Sequence, residues 1–506
     1  MSKTNRACTN CVRAKAKCSP NVNGTEKCER CLRLNKECIP SAPMRKRRPG
    51  SSVAAGKVQA LEAKLDSLAS LLQTQTLHTL PQALQTPAST SSQPTGQPGQ
   101  PAESADQTLA LFNRLFLFFF PLVRLENTTA AQLQQERPLL WAAISAVATP
   151  CVARQRSLSL QMREVIAREA YVKGTCSLDF FNAVTVFAVW DRHRNHNDAL
   201  LTNLMQQAVA SIYELGLHEP PPSDPGLILS YDIKGIPRPS RMTRAETVEE
   251  RRALLSCYLL SGRNQSLRWT AYFDECLAVL EGNEDDLLLC QLVRLRLLAE
   301  TAHTAWSGVK HTSDLSSAML HLRSLKHQLQ VFRDNIPPQL LQNKPLLLQL
   351  HDTEVTVHEI GLREIFSPGT TGPRVAILLE LMQAAHRWAD VFLTLQPAEL
   401  YGMPFSALGQ MNRCLVVGFR LNAIDWPGWD RNLFREQLDV PRAFDHIMTA
   451  FGRVKDEVPL DTQLEMDVFS VLAAKMTAKQ PNWEAELGYL PSFWDFSFDE
   501  LTMEMF

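Results

Sequence analysis

The chain has 506 residues, of which 45% are hydrophobic and 21% are charged, and its formal net charge is −1. So much apolar material can build a sizeable core, which excludes a wholly disordered protein. No apolar run approaches the length of a membrane-spanning helix, roughly 18 residues, and no signal peptide is visible, so we expect an intracellular protein with no membrane partner.

The charge is distributed unevenly along the chain. Residues 1–48 contain 13 lysines and arginines against three acids, a net charge of +10, which leaves −11 for the other 458 residues. A basic N-terminal segment on an acidic body favours a polyanion-binding module joined to a domain of another kind.

The cysteines are concentrated in the same segment. Six of the 12 form two copies of the pattern Cys-x2-Cys-x6-Cys, namely Cys8, Cys11, Cys18, Cys28, Cys31 and Cys38. Without a secretory signal, such a cluster indicates metal binding rather than disulfides. The segment between them has only four sizeable apolar residues, so bound metal must supply most of its folding free energy.

Zinc takes four thiolates in a tetrahedron, so six cysteines can serve two zinc ions only when two cysteines are shared. The internal repeat makes the leading cysteines, Cys8 and Cys28, the natural shared ligands. One ion would then take Cys8, Cys11, Cys18 and Cys28, and the other Cys8, Cys28, Cys31 and Cys38. Two less favoured alternatives are three disulfides and a single four-cysteine zinc site with two spare thiols.

The spacing resembles the Gal4-type Zn2Cys6 binuclear cluster of fungal transcription factors. The RxKxKC segment of that family is matched by Arg13, Lys15, Lys17 and Cys18. The resemblance implies a nuclear regulator of RNA polymerase II transcription that carries two zinc ions. It also implies that a short helix enters the major groove of double-stranded DNA and reads CGG-like triplets.

The residues themselves favour the first repeat as the half that contacts DNA. Lys15 and Lys17 of the first repeat correspond to Asn35 and Glu37 of the second. We expect Lys15 to read a base edge, because an ammonium group can donate to guanine O6 and N7. Phosphate contacts, which fix position without reading sequence, are predicted for Arg13, Lys17 and Lys27. The alternative for all of these side chains is a solvated charged surface.

A compact basic run follows the cluster and consists of Arg45, Lys46, Arg47 and Arg48. Such a run is typical of a nuclear localisation signal. Extra phosphate contacts and an ordinary solvated charge run are the alternatives.

Residues 57–80 have helical composition. Their apolar residues alternate steps of three and four, at Val58, Leu61, Leu65, Leu68 and Leu72. This leucine seam predicts a short dimerisation coiled coil and therefore a homodimer. The alternative is an amphipathic helix docked on the large domain. Residues 81–108 are rich in Pro, Gln, Ser and Thr, which predicts a flexible linker.

Residues 109–480 are dominated by helical periodicity, with little strand-like alternation, which predicts a large all-α domain. With the small zinc cluster and the coiled coil, this gives a mostly α protein. The clearest predicted helices cover 182–190, 198–217, 245–261, 285–304, 315–335, 374–395 and 440–455. Residues 249–252 and 256–261 resemble the fungal-specific regulatory domain that accompanies many Zn2Cys6 clusters.

The last segment, residues 482–506, contains six acids and seven aromatics but no lysine or arginine. Interleaved acids and bulky apolar residues are typical of an acidic-hydrophobic activation segment that binds transcription coactivators. The alternative is a segment packed on the helical domain.

We do not expect an enzyme. The chain has no phosphate-binding glycine motif and no G-x-S-x-G nucleophile motif, and a zinc enzyme needs an open metal position that a closed cysteine cluster lacks. We predict a sequence-specific DNA-binding transcription factor that activates. The alternatives are a repressor of the same family and, less favoured, a zinc-stabilised scaffold without specific DNA binding.

Overall fold

The computed structural model describes residues 7–14, 17–19, 27–39, 105–191, 200–221, 229–230, 233–234, 247–261, 267–309, 314–367, 369, 371–437, 439–458, 460, 462 and 466–487. The chain divides into two compact units, Met1–Pro98 and Gly99–Phe506. Five predicted features lie wholly or partly outside the described residues: Lys15, the basic run at 45–48, the coiled coil at 57–80, residues 81–104 of the linker, and residues 488–506 of the acidic segment.

In the first unit, the described residues contain two five-residue helices, α1 (Thr9–Arg13) and α2 (Glu29–Arg33). The backbone N–H of Thr9 donates to the carbonyl of Ile39 at 3.0 Å, and that of Glu29 donates to the carbonyl of Ser19 at 3.1 Å. Each bond joins the first helical residue of one repeat to the residue after the last cysteine of the other. The two repeats therefore pack as an approximate two-fold pair.

The second unit is helical, with no strand among its described residues. Its first helices are α3 (Ala105–Leu111), α4 (Leu117–Phe119), α5 (Ala130–Glu136), α6 (Pro138–Ala148), α7 (Val152–Ala167), α8 (Leu178–Trp190) and α9 (Leu200–Glu214). Two π-helical turns lie among them. Phe112–Phe116 joins α3 to α4, and Arg168–Lys173 extends α7.

The later helices are α10 (Val248–Leu260), α11 (Ala271–Glu281), α12 (Leu287–Ser307), α13 (Leu315–Asp334), α14 (Lys344–His358), α15 (Thr371–Leu393), α16 (Pro397–Tyr401), α17 (Phe405–Ala423), α18 (Arg431–Gln437), α19 (Val440–Gly452), α20 (Val454–Glu457) and α21 (Val468–Leu487). Each of the seven helices predicted from periodicity overlaps one of these, so the mostly α fold is confirmed. None of the described helices combines the length and apolarity that crossing a membrane requires.

Local sequence signals set several helix starts. The clearest precedes α10, where the hydroxyl of Thr247 accepts from the backbone N–H of Glu250 at 3.2 Å. The carboxylate of Glu250 in turn accepts from the backbone N–H of Thr247 at 2.8 Å. This reciprocal cap satisfies two backbone donors that a helix start otherwise leaves unpaired.

Helix α8 lies in the larger of two hydrophobic cores, and its residues 180–190 are all buried. The Trp190 ring packs edge-on against Phe112 and Phe116, with ring centroids 5.6 Å apart in both pairs. Its indole N–H donates to the carbonyl of Gly402 at 3.0 Å. A Cβ at Gly402 would lie 1.8 Å from the carbonyl oxygen of Leu115, so only glycine permits this close approach.

Two predicted boundaries differ from the structure. Helix α3 begins at Ala105, inside the predicted linker, because Thr108 and Leu109 are buried and Asp106 accepts a hydrogen bond from the backbone of Ala130 at 3.1 Å. At the other end, α21 continues to Leu487, so the first residues of the predicted acidic segment are helical. Composition alone does not mark where a helix with a polar outer face starts or ends.

Candidate metal centre and DNA-binding surface

The leading cysteine of each repeat occupies the N-cap position of a helix. Cys8 precedes α1 and Cys28 precedes α2, both with extended backbone. The Cys28 sulfur accepts from the backbone N–H of Cys31 at 3.5 Å. The x2 spacing thus places a leading sulfur and the next cysteine on the same first helical turn, facing the other repeat.

The sulfurs of the two repeats lie at contact distance. Cys8 Sγ is 3.8 Å from Cys28 Sγ and 3.6 Å from Cys31 Sγ, and Cys11 Sγ is 3.7 Å from Cys28 Sγ. In a tetrahedral zinc site with Zn–S bonds of about 2.3 Å, neighbouring sulfurs are about 3.8 Å apart. The observed separations therefore fit sulfurs that share a tetrahedral metal ion.

The six predicted ligands come together as two overlapping groups of four, in each of which all sulfurs lie within 4.8 Å of one another. The groups are Cys8, Cys11, Cys18 and Cys28, and Cys8, Cys28, Cys31 and Cys38. Cys8 and Cys28 belong to both groups. The arrangement can hold metal ions, and its two groups share the two leading cysteines.

The shared sulfurs are also the ones most easily ionised. The backbone N–H of Cys11 lowers the pKa of Cys8 to about 6, and the backbone N–H of Cys31 lowers the pKa of Cys28. Burial instead raises the pKa of Cys11, to about 12, and that of Cys31. Buried sulfurs at contact distance cannot all be thiolates unless a cation balances their charge, which is the role of a bound metal.

Three further contacts position the cluster. The backbone N–H of Cys8 donates to Cys18 Sγ at 3.5 Å, and the equivalent N–H of Cys28 donates to Cys38 Sγ at 3.3 Å. The side-chain amide of Asn10 donates to the carbonyl of Glu37 at 2.6 Å and so joins the repeats. The sequence does not mark Asn10 for this role, because the equivalent residue of the second repeat is Arg30 and the repeat pattern therefore does not single it out.

The predicted DNA contacts that the structure describes are all exposed: Arg13, Lys17 and Lys27. Arg13 ends α1, and Lys17 and Lys27 each precede a cysteine ligand. Arg30 of the second repeat is half-buried and lowers the pKa of Cys11 by a hydrogen bond to its sulfur, which opposes the effect of burial. This arginine therefore reaches from the second repeat to a sulfur of the first.

Comparisons with known proteins identify relatives that are named transcription factors. A protein-family model described as a C-terminal domain matches residues 397–491. Transcription factor opdL of Penicillium oxalicum is 32% identical over 515 aligned residues, which cover 95% of this chain and 89% of that protein. Transcription factor himD of Aspergillus japonicus is 27% identical, with 73% of this chain and 64% of that protein covered. No solved structure is significantly similar to the chain.

Proposed function

This chain belongs to the fungal Zn2Cys6 transcription factors, and we propose that it is a nuclear, sequence-specific activator whose six-cysteine centre holds two zinc ions. The observation that carries the proposal is the pair of overlapping four-sulfur groups that share Cys8 and Cys28. Bound zinc would crosslink the two repeats and so replace the hydrophobic core that this short segment lacks. Four thiolates per ion leave no open metal position, so the proposal includes no enzymatic activity.

For DNA binding, we assign the major-groove helix to the first repeat. The support is the exposure of Arg13 and Lys17 on this half, where the second repeat carries the acid Glu37 in place of Lys17. Lys15 would read a base edge, and Arg13, Lys17 and Lys27 would bind phosphates. CGG-like triplets are the expected target by family resemblance.

The remaining parts of the proposal rest on the sequence pattern. The leucine seam at 57–80 would form the homodimer, and the run of Arg45, Lys46, Arg47 and Arg48 would direct nuclear import. Residues 482–506 would recruit coactivators through their acids and aromatics. A repressor with the same DNA-binding domain is the alternative, and a reporter assay with the full chain distinguishes the two.

The test uses the full chain, purified with zinc. Metal analysis should give two zinc ions per chain, and a duplex with paired CGG triplets should bind at least about tenfold more tightly than a scrambled duplex at one fixed salt concentration. Cys28→Ser should lose both properties, whereas the matched control Cys176→Ser, an exposed cysteine far along the chain, should keep them. Zinc-free protein that still discriminates between the duplexes would contradict the proposal.

A further inference from the structure

Helix α7 presents two different faces. The residues that face the core are all buried: Val152, Gln155, Ser159, Met162, Ile166 and Glu169. The opposite face, which we call the outer stripe, is exposed and consists of Leu160, Glu164, Ala167, Arg168, Tyr171 and Val172. The outer stripe therefore runs from the middle of α7 to the end of the π-helical turn Arg168–Lys173 that extends it.

Three large apolar side chains of the outer stripe face solvent. Leu160 is 56% exposed, Tyr171 is 80% exposed and Val172 is 79% exposed. The π-helical turn Arg168–Lys173 is wider than an α-turn, so two neighbouring side chains point outward together at its end. Tyr171 and Val172 are neighbours, whereas Leu160 lies about three helical turns away on the same side. Exposed apolar side chains that share one helix face are typical of a protein contact surface.

We propose that the outer stripe is the contact surface for a second copy of this chain, paired as antiparallel α7 helices about a two-fold axis near residue 166. The outer stripe is complementary to itself in that register. Leu160 lies opposite Val172 of the partner, and Glu164 lies opposite Arg168 of the partner. In an antiparallel pair about a two-fold axis, residues at similar heights on either side of the axis meet.

The charges and the side-chain sizes of the outer stripe both support a second copy of this chain as the partner that covers it. Along the antiparallel pair, the two Glu164 and two Arg168 side chains alternate in sign, so each carboxylate has an opposite charge across the interface. Ala167 lies beside the axis, and its small side chain permits the close approach of the two helices. At each end of the helix pair, Leu160 of one copy then packs against Tyr171 and Val172 of the partner.

This contact is separate from the coiled coil proposed for residues 57–80 and does not depend on DNA binding. One helix face buries less than the roughly 800 Å² per partner of a standard interface. We therefore expect weak association through α7 alone, and tighter association when the coiled coil already links the two chains.

The test isolates this contact in the full chain with the coiled coil disrupted by Leu65→Pro. In sedimentation equilibrium, this background should still dimerise. Glu164→Arg or Arg168→Glu should each raise the dissociation constant at least about tenfold. The matched control Glu275→Arg, which reverses an exposed charge on α11, should leave the constant unchanged. Unchanged circular dichroism would show that all of these variants remain folded.

Charge exchange gives the decisive readout. A mixture of the Glu164→Arg and Arg168→Glu proteins should form heterodimers, because every facing pair is again opposite in sign. The double variant Glu164→Arg/Arg168→Glu should recover homodimers for the same reason. The proposal is overturned if the Leu65→Pro background stays monomeric at the highest concentration reached, or if neither exchange restores association.

Discussion

The guanidinium of Arg252 binds the carboxylate of Asp286 through two parallel hydrogen bonds, Nε to Oδ1 at 2.7 Å and Nη2 to Oδ2 at 2.9 Å. Both side chains are buried, and the pair joins α10 to the residue that precedes α12. The bidentate geometry offsets much of the cost of removing two charges from water.

Removing the acid alone should therefore be costly. Asp286→Ala leaves the Arg252 guanidinium buried without its partner, and we expect a loss of about 3–5 kcal/mol in the free energy of unfolding. Urea denaturation of the full chain, followed by circular dichroism, measures this loss. The double variant Arg252→Met/Asp286→Leu should lose less, because it buries no unpaired charge. A double variant as unstable as Asp286→Ala would contradict this explanation.

The sequence predicts the parts of the fold that depend on local patterns. Helical periodicity places α8, α9, α10, α12, α13, α15 and α19. In most of these helices the apolar residues recur at the spacing of a helix face, although α8 is buried on all sides. The repeated Cys-x2-Cys-x6-Cys spacing is also a local pattern, and it predicts that the six cysteines are metal ligands. The pairing of Arg252 with Asp286 leaves no such signal, since the two residues are 34 positions apart.

Other features were beyond prediction because they depend on tertiary contacts. The start of α3 at Ala105 depends on the packing of Thr108 and Leu109 against distant helices. In the metal centre, the sequence gives no sign that Asn10 binds the carbonyl of Glu37. Helix and turn propensities are too weak to reveal contacts of this kind.

The sharing of Cys8 and Cys28 between the two sulfur groups leads to a prediction about metal content. Cys8→Ala or Cys28→Ala removes a ligand from both groups, whereas Cys38→Ala removes a ligand from one. After dialysis against a weak chelator, we expect the first two variants to lose both zinc ions and Cys38→Ala to retain about one. Native mass spectrometry counts the ions. Equal loss from all three variants would argue against shared ligands.

Glu354 forms a buried ionic cluster in the helical domain, with Arg333, Arg387 and His351 as its partners. Arg387 Nη2 lies 2.6 Å from one carboxylate oxygen, and His351 Nδ1 lies 3.2 Å from the same oxygen. Burial alone would raise the pKa of this carboxyl, but the cationic partners outweigh burial and hold the pKa at about 2. The folded protein therefore favours the ionised form.

The sign of the resulting pH dependence follows from that lowered pKa. The ionised Glu354 carboxylate stabilises the folded protein. This stabilisation is fully present above the ordinary carboxyl pKa of 4.5 and is lost as the pH falls toward 2. Glu354→Gln should lower the free energy of unfolding at pH 6, and its difference from the parent should shrink between pH 5 and pH 3. Urea titrations at several pH values measure this, with the exposed Glu275→Gln as a control that shows no such trend.

The acidic segment should function outside its own chain. Residues 482–506 fused to an unrelated DNA-binding domain should activate a reporter gene, because the acids keep the aromatics accessible to a coactivator groove. Alanine at Phe493, Trp494, Phe496 and Phe498 should abolish the activity. The matched control with alanine at Ser492 and Ser497 should retain it. A silent fusion would favour a segment packed on the helical domain, or a repressor.

The last prediction separates base reading from phosphate binding in the first repeat. Lys15→Ala should weaken binding to the specific site, because it removes a base-edge contact of about 1–3 kcal/mol. The difference in affinity between the specific and the scrambled duplex should therefore become smaller. Lys17→Ala should weaken binding to both duplexes alike. It should also reduce, by about one, the slope of the logarithm of the binding constant against the logarithm of the salt concentration, because a phosphate contact releases a counterion whatever the sequence. Lys36→Ala, in the second repeat, is the matched control and should change neither quantity.

Binding titrations on both duplexes at several salt concentrations measure these effects. Neither Lys15 nor Lys17 is a metal ligand, so zinc content should stay constant and any loss of binding reflects DNA contacts. If Lys17→Ala removed discrimination and Lys15→Ala did not, the two roles would be reversed. If Lys36→Ala had the largest effect, the second repeat would be the half that enters the major groove, and the exposed Glu37 beside it would have to face away from the phosphates.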